Sequence, residues 1–307
     1  MSENKYDLII IGSGPAGLTA ALYASRLGLN VVVFGDIPGG STYMIEQLSN
    51  FPGFLTEISG TQFGTMAFQQ AQQEGAFFTM TRLKRLGYEN GMFNGTDADG
   101  QQYTADCAIA ATGRLPKRLA VANANIKGVH FCSICDGPLY RGQKAVLAVV
   151  GRDNTAGQHA VTLARVAKKV LLISSSEKLA MDAAHIRLIE KQGNIEQLLN
   201  TEVTGYKGAE VIDGVAVSTK DGVAEELNID GIFLAIGWRP NTKMLDFEVA
   251  KTAEGYLTTD QQLMTSVPGL LAAGDVRQTD MWQVLTACAD GARAAKYAGE
   301  YLELIAT

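Results

Sequence analysis

Residues 6–11, YDLIII, form an unbroken apolar run of strand length, and Gly12-Ser13-Gly14-Pro15-Ala16-Gly17 follows at once. Apolar positions then recur with helical spacing as far as Arg26, Gly28 supplies a stop, and NVVVF at 30–34 reads as a second strand. Strand, glycine turn, helix and strand make a βαβ unit that opens a parallel sheet. The same shape returns near residue 144. There KAVLAVV leads into Gly151-Arg152-Asp153-Asn154-Thr155-Ala156, a helix runs through GQHAVTLARVA, and the strand KVLLIS ends at Ser174. From Gly12 to Gly35 is 23 residues, and from Gly151 to Ser174 is also 23, so the two units agree in spacing as well as in pattern.

Three further apolar segments complete the frame. ADCAIAATG at 105–113 reads as a buried strand ending in Ala111-Thr112-Gly113, and GIFLAIGWRPN at 231–241 repeats that shape for the second unit. TSVPGLLAAGDV at 265–276 is a strand ending in Gly274-Asp275, with a helix to follow from about Gln283. The fold class expected is α/β, with two Rossmann-like dinucleotide-binding domains and the second inserted in the first. Polar breaks place one domain at 1–114 plus 245–307 and the other at 115–244.

The glycines of the first turn have separate tasks. Gly12 permits the tight turn, Gly14 lets a pyrophosphate approach the backbone, and Gly17 allows the helix to pack on the strand. Pro15 and Ala16 open the helix whose N-terminal dipole faces the phosphates. The acidic residue that usually holds a ribose at the end of the second strand is missing: Gly35 stands there, with Asp36 a shifted substitute.

Of the 307 residues 47% are hydrophobic and 19% charged, with a formal net charge of -6, which excludes a long disordered chain and argues against a polyanion-binding protein. The densest cationic cluster, Arg82, Lys84 and Arg85, reads as a solvated helix face. No apolar run nears the roughly 18 residues that span a bilayer, and the N-terminus lacks a secretory pattern, so a cytoplasmic protein without membrane or nucleic-acid partners is expected. Among four cysteines, Cys132 and Cys135 form a Cys-x-x-Cys pair, which means redox chemistry or half a zinc site. The second half of a zinc site is missing, and no metal is expected. Cys107 and Cys288 read as core residues, and His130 as a packing or solvated residue whose other role would be to tune a thiolate.

Together, GSGPAGLTAALYASRLGL, Gly39-Gly40, NFPGF at 50–54, ATG at 111–113, CSICDGPLYRG at 132–142 and TSVPGLLAAGDV resemble the low-molecular-weight thioredoxin reductase family of flavoproteins over essentially the whole chain. The resemblance implies one FAD per chain, a redox-active disulfide between Cys132 and Cys135, and a homodimer. It carries FAD contacts onto Gly12, Gly14, Gly17, Gly39, Gly40, Asn50, Asp275 and Gln283, with Thr112, Gly113 and Gly274 in the flanking motifs, and makes Asp136 the proton donor and acceptor beside the disulfide. Ser41, Trp282 and Val284 lie in the same site but depart from the family pattern of Gly-Gly-Gln and Arg-Gln-Ala.

The second nucleotide turn departs further. Asp153 stands where NADPH-using members carry a glycine, and two like charges ~4 Å apart at an effective dielectric of ~20 repel by ~4 kcal/mol. Ser174-Ser175-Ser176 replaces the basic residues that hold a 2'-phosphate. Arg152 offsets part of the charge, Gly151, Asn154 and Thr155 keep a helix N-terminus, and Ser174 can bond a ribose hydroxyl, so that a second FAD fits the pattern. The expectation is an FAD-dependent disulfide oxidoreductase whose donor is ferredoxin or a second flavin rather than NADPH. Its partner would be a thioredoxin-like or other disulfide protein or a small dithiol. The alternatives are an NAD(P)H-dependent thioredoxin reductase, a dithiol oxidase using oxygen, and a flavin redox sensor.

Overall fold

The computed structural model describes residues 4–307 except 46, 47, 49, 57 and 125, and excludes the side chains of Met44 and Cys135. The chain forms two compact units, one holding the chain up to Leu115 and from Arg239 onward, the other Pro116–Trp238.

The first unit begins with β1 (Asn4–Ile11), α1 (Pro15–Arg26), β2 (Val31–Phe34), α2 (Gly60–Gln73) and β3 (Phe77–Phe78), and continues through β4 (Leu83–Glu89), β5 (Met92–Asp97) and β6 (Gln102–Ala110). The chain leaves it through β7 (Arg114–Pro116). The second unit contains β8 (Val129–His130), α3 (Ser133–Asp136), β9 (Val146–Gly151), α4 (Asn154–Ala164), β10 (Lys169–Ile173), α5 (Ala183–Glu190), β11 (Ile195–Leu198), β12 (Thr201–Lys207), β13 (Gly214–Thr219), β14 (Ala224–Asn228) and β15 (Gly231–Ala235). The chain returns through β16 (Trp238–Pro240) and ends with β17 (Leu270–Ala272) and α6 (Val284–Ala306).

In the first unit the strand order is β3-β2-β1-β6-β5-β4, with β17 on β6. Its β3, β2, β1, β6 and β17 are parallel, while β6, β5 and β4 run antiparallel. Successive residues of β1 face opposite cores: Leu8 and Ile10 pack under α1 and α6, and Ile9 and Ile11 pack with Phe34, Leu86 and Phe93. That two-sided burial, at roughly 1.5–3 kcal/mol for each large apolar side chain, is why β1 reads as a continuous apolar run. The second unit has the order β11-β10-β9-β15-β8, all parallel, and a separate antiparallel sheet β12-β13-β14.

The cluster Arg82, Lys84 and Arg85 is not on a helix. Lys84 and Arg85 lie on β4, where Arg85 pairs with Asp246, and Arg82 pairs with Asp36 at 2.7 Å. Cys107 is fully buried in β6 with its thiol on the Gly269 carbonyl, whereas Cys288, expected in the core, is half-buried. No described helix is long and apolar enough to cross a membrane.

Candidate functional site

The first turn ends β1 and hands the chain to α1. Gly12 has φ 114°, and a Cβ there would meet the Ala111 carbonyl oxygen at 2.3 Å, so only glycine lets the turn lie against β6. Gly14 is the N-cap of α1 at φ -77° and ψ -178°, with no side-chain cap, and Pro15 follows at the start of the helix. A Cβ at Gly14 would meet only the Gly39 carbonyl oxygen, at 3.9 Å, which leaves the first amides of α1 an open approach. Gly39 donates its N–H to the Ser13 carbonyl at 2.8 Å, and a Cβ at Gly40 would lie 3.0 Å from Gly14 Cα, so the two glycine pairs are packed together. Ser13 donates to the Ile37 carbonyl, and Gly35 lies against Ser13. Asp36 faces Arg82 instead, its carboxylate already taken by that ion pair. Ser41 is exposed in the short 3₁₀ turn that begins at Gly40.

The other end of this site is built by β6, β17 and α6. The Thr112 hydroxyl donates to the Asn241 carbonyl at 2.6 Å and the Gly113 carbonyl accepts the Asn241 N–H at 3.0 Å, fixing the strand end. Gly274 donates its N–H to Asp290 on α6, which Arg277 holds in two further hydrogen bonds. Asp275 then meets Arg114 at 3.2 Å; burial pushes its carboxyl above the usual range, and the guanidinium pulls it back. The same guanidinium lies 4.9 Å from the centre of the Trp282 ring. Asn50 and Gln283, 233 positions apart in sequence, share a hydrogen bond of 2.9 Å, and Val284 begins α6. The indole N–H of Trp282 is buried without an acceptor among the described residues. An uncapped helix N-terminus, an open cradle at Gly14 and an unanswered donor at Trp282 all fit a bound dinucleotide such as FAD. Arg114 and Asp290 are the members of this site that the sequence patterns do not single out.

The second turn repeats the layout of the first, but the chain caps its helix with a side chain of its own. Gly151 has φ 157°, and a Cβ there would meet the Ala235 carbonyl oxygen at 2.5 Å, matching Gly12 against Ala111. Asp153 is the N-cap of α4 at φ -96° and ψ -177°, and its Oδ1 accepts the Ala156 N–H at 3.1 Å. The chain after β10 folds back onto this turn. Ala180 donates its N–H to the Arg152 carbonyl at 2.7 Å, the Asp182 N–H donates to Asn154 Oδ1 at 2.9 Å, and Asn154 Nδ2 donates to Asp182 Oδ2 at 3.1 Å. Arg152 reaches Ser176, and the buried Ser174 hydroxyl accepts the Ser176 N–H. Arg152, Asn154 and Ser174, expected to face a phosphate or ribose, are thus engaged within the chain; Thr155 is exposed.

The cysteine segment leads into α3 in the second unit, with Cys132 just before the helix. Cys132 is disulfide-bonded, Cys107 and Cys288 carry free thiols, and the side chain of Cys135 lies outside the described residues. Asp136 donates its N–H to the Cys132 carbonyl at 3.1 Å, closing one helical turn over the motif. His130 Nδ1 lies 3.1 Å from Asp136 Oδ2, and its Nε2 lies 2.8 Å from the Tyr140 hydroxyl. Burial pushes the imidazole below its ordinary range, while Asp136 pulls it up. Burial likewise keeps the Tyr140 proton in place.

The chain matches the family model of pyridine nucleotide-disulphide oxidoreductases over residues 6–291. It is 34% identical to the thioredoxin reductase of Treponema pallidum over 308 residues, covering 99% of both chains. Identity to the thioredoxin reductase of Bacillus subtilis is 33% over 311 residues, covering 99% of this chain and 97% of that one. The crystal structure of Lactococcus lactis thioredoxin reductase superposes with a TM-score of 0.83 at 27% identity, over 97% of this chain and 99% of that one. Two dinucleotide folds, the open glycine turn of the first and these relatives place the chain in the pyridine nucleotide-disulphide oxidoreductase family, as a thioredoxin reductase-like, flavin-dependent disulfide oxidoreductase.

Proposed function

We propose that this oxidoreductase reduces a thioredoxin-like disulfide partner through Cys132 and Cys135, and that its electrons come from a low-potential iron-sulfur protein of the ferredoxin kind rather than from NADPH. The observation that carries the choice of donor is the Asp153 carboxylate on the first turn of α4. That position is where a nucleotide pyrophosphate would have to sit, so the nucleotide would meet both an occupied amide and a like charge. Ser174-Ser175-Ser176 adds no cation for a 2'-phosphate. The same carboxylate argues equally against a second FAD, which would bring the same pyrophosphate. The reading includes a cytoplasmic homodimer.

When bound in the first unit, FAD supplies two-electron exchange with the disulfide. The chain's own residues do the rest. A thiolate of the reduced pair attacks one sulfur of the partner disulfide, the partner bond breaks, and Asp136 gives its proton to the departing sulfur. The second thiol of the pair returns a proton to Asp136 and attacks the mixed disulfide, closing the Cys132–Cys135 bond and releasing the other partner sulfur. Two electrons pass to the partner, and Asp136 ends as it began.

An anaerobic turnover assay with an oxidised thioredoxin tests this. Photoreduced ferredoxin is expected to support turnover at least about a hundredfold faster than millimolar NADPH. Comparable turnover with NADPH overturns the choice of donor. Cys135→Ser is expected to retain FAD and abolish turnover; turnover that survives it overturns the role of the pair.

A further inference from the structure

Four elements converge on one imidazole. His130 is on β8, opposite Phe233 of β15 in the parallel register, and the two rings stack at 4.8 Å with 25° between their planes. Tyr140, from the 3₁₀ turn Gly137–Tyr140, stands edge-on to the imidazole at 5.7 Å and hydrogen-bonds its Nε2. Its hydroxyl passes over Gly231, where a Cβ would lie 2.2 Å from the oxygen; any other residue at that strand start displaces the phenol. From α3, Asp136 completes the set through Oδ2. The His130 side chain is 14% exposed and the Asp136 carboxylate 35%, so the buried ring holds one oxygen of a carboxylate that still reaches solvent.

The protonation pattern follows from these neighbours. The titratable groups against the imidazole are Asp136 and Tyr140, with Asp230 acting on Tyr140 from the approach to β15; Phe233 is neutral. A carboxylate oxygen can only accept, so the neutral tautomer that satisfies both partners carries its proton on Nδ1, facing Asp136, and accepts the Tyr140 hydroxyl at Nε2. We propose that His130 is a positioning residue for proton transfer at the redox disulfide: clamped by Tyr140 and Phe233, it fixes one oxygen of Asp136 and leaves the other to exchange protons with the sulfurs. The proposal rests on the reading of Asp136 as the proton carrier given above. It replaces the packing or solvation expected for His130 with a directed contact, and it gives Tyr140 a task two steps from the sulfur.

A carboxyl that protonates a leaving sulfur matters when that sulfur is basic and is dispensable when the sulfur leaves as a stable anion. The test is the single-turnover oxidation of the photoreduced, FAD-loaded protein by two probes, bis(2-hydroxyethyl) disulfide and an aromatic disulfide with an acidic thiol, between about pH 5.5 and 9. His130→Phe is expected to slow the alkyl probe about tenfold and the aromatic probe less than about twofold, and to displace the pH profile of the alkyl reaction alone. His130→Asn, whose amide nitrogen can take the place of Nδ1, is expected to recover most of the rate. Tyr140→Phe is expected to give a smaller loss with the same selectivity, and it carries the test if His130→Phe does not fold. Equal slowing of both probes, or wild-type behaviour with both, overturns the proposal. Asp136→Asn separates the levels. If it leaves the alkyl reaction at the wild-type rate, the reading of Asp136 fails; if it slows that reaction while the His130 and Tyr140 variants do not, only the present inference fails.

Discussion

The two glycine turns differ in one decisive atom group. Gly12 and Gly151 back onto the carbonyls of Ala111 and Ala235 at nearly equal distances, and the N-caps Gly14 and Asp153 have nearly equal dihedrals. The topology and the conformation of the cap are therefore common to both. In the first turn the cap has no side chain, and the amides of α1 are open to an anion from outside. In the second, the chain supplies its own anion to α4. A helix N-terminus is open to phosphate where the sequence leaves its amides unanswered, and the two turns differ in that respect within one topology.

Exchanging the caps should have the largest effect. Gly14→Asp is expected to weaken FAD binding by two to three orders of magnitude, from a repulsion of ~4 kcal/mol before solvent screening. The flavin-to-protein ratio after denaturation, together with an apoprotein titration, measures it. Gly14→Ala adds a Cβ with its nearest contact at 3.9 Å, and should lose far less. If Ala and Asp prove equally damaging, the turn discriminates by shape and the electrostatic comparison fails.

The reverse exchange should act in the opposite direction with a smaller effect. Arg152→Gly and Asp153→Gly combined with Ser175→Arg and Ser176→Arg should raise the rate of flavin reduction by millimolar NADPH at least about tenfold, since each charge-assisted phosphate contact contributes roughly 1.5–3 kcal/mol. No gain in a stopped-flow trace would mean that the segment folded back over the turn, not the cap, closes the site. Asp153→Ala alone should cost about 1 kcal/mol of stability through the lost cap, read from the denaturant midpoint, while Asp153→Asn should cost little because an amide oxygen still accepts the Ala156 N–H.

The smallest expected effect is on the pH dependence of stability. Burial pushes both His130 and His159, the latter on α4, below the usual value of 6.5, with Asp136 and Asp153 respectively opposing the shift. The native state then holds fewer protons than the unfolded chain, so this contribution to stability is complete above about pH 6.5 and is lost as pH falls through that value toward the depressed ones. Denaturant midpoints compared at neutral and mildly acidic pH should decline less in the double variant His130→Asn, His159→Gln. An unchanged decline would assign it to other groups.

Much of the fold is legible because each βαβ unit writes its turn and its burial in consecutive residues: YDLIII and KAVLAVV are apolar since both faces of β1 and β9 are covered. The cationic cluster misleads for a physical reason. The register of β4 against β5 shifts between Leu83 and Arg85, so buried Leu83, Leu86 and Gly87 fall at the spacing of a helix face although the segment is a strand. At the second turn the charge of Asp153 is visible in sequence, and an aspartate opening a helix already signals a cap. That Arg152 and Asn154 turn to the loop after β10 is not visible, because those partners lie across a fold-back, whereas Ser174 only closes a local turn with Ser176. Arg114 on Asp275 and His130 between Asp136 and Tyr140 are hidden likewise, since no spacing tells which side chains a strand end and a one-turn helix will aim at each other.

The most direct test of the central claim is rapid mixing of the oxidised, FAD-loaded protein with millimolar NADPH, following the flavin absorbance near 450 nm, a wavelength set by the flavin itself. If the Asp153 cap closes the second turn, the flavin stays oxidised over seconds, while a reduced low-potential iron-sulfur protein bleaches it in the same instrument. Full bleaching by NADPH within seconds would contradict the account.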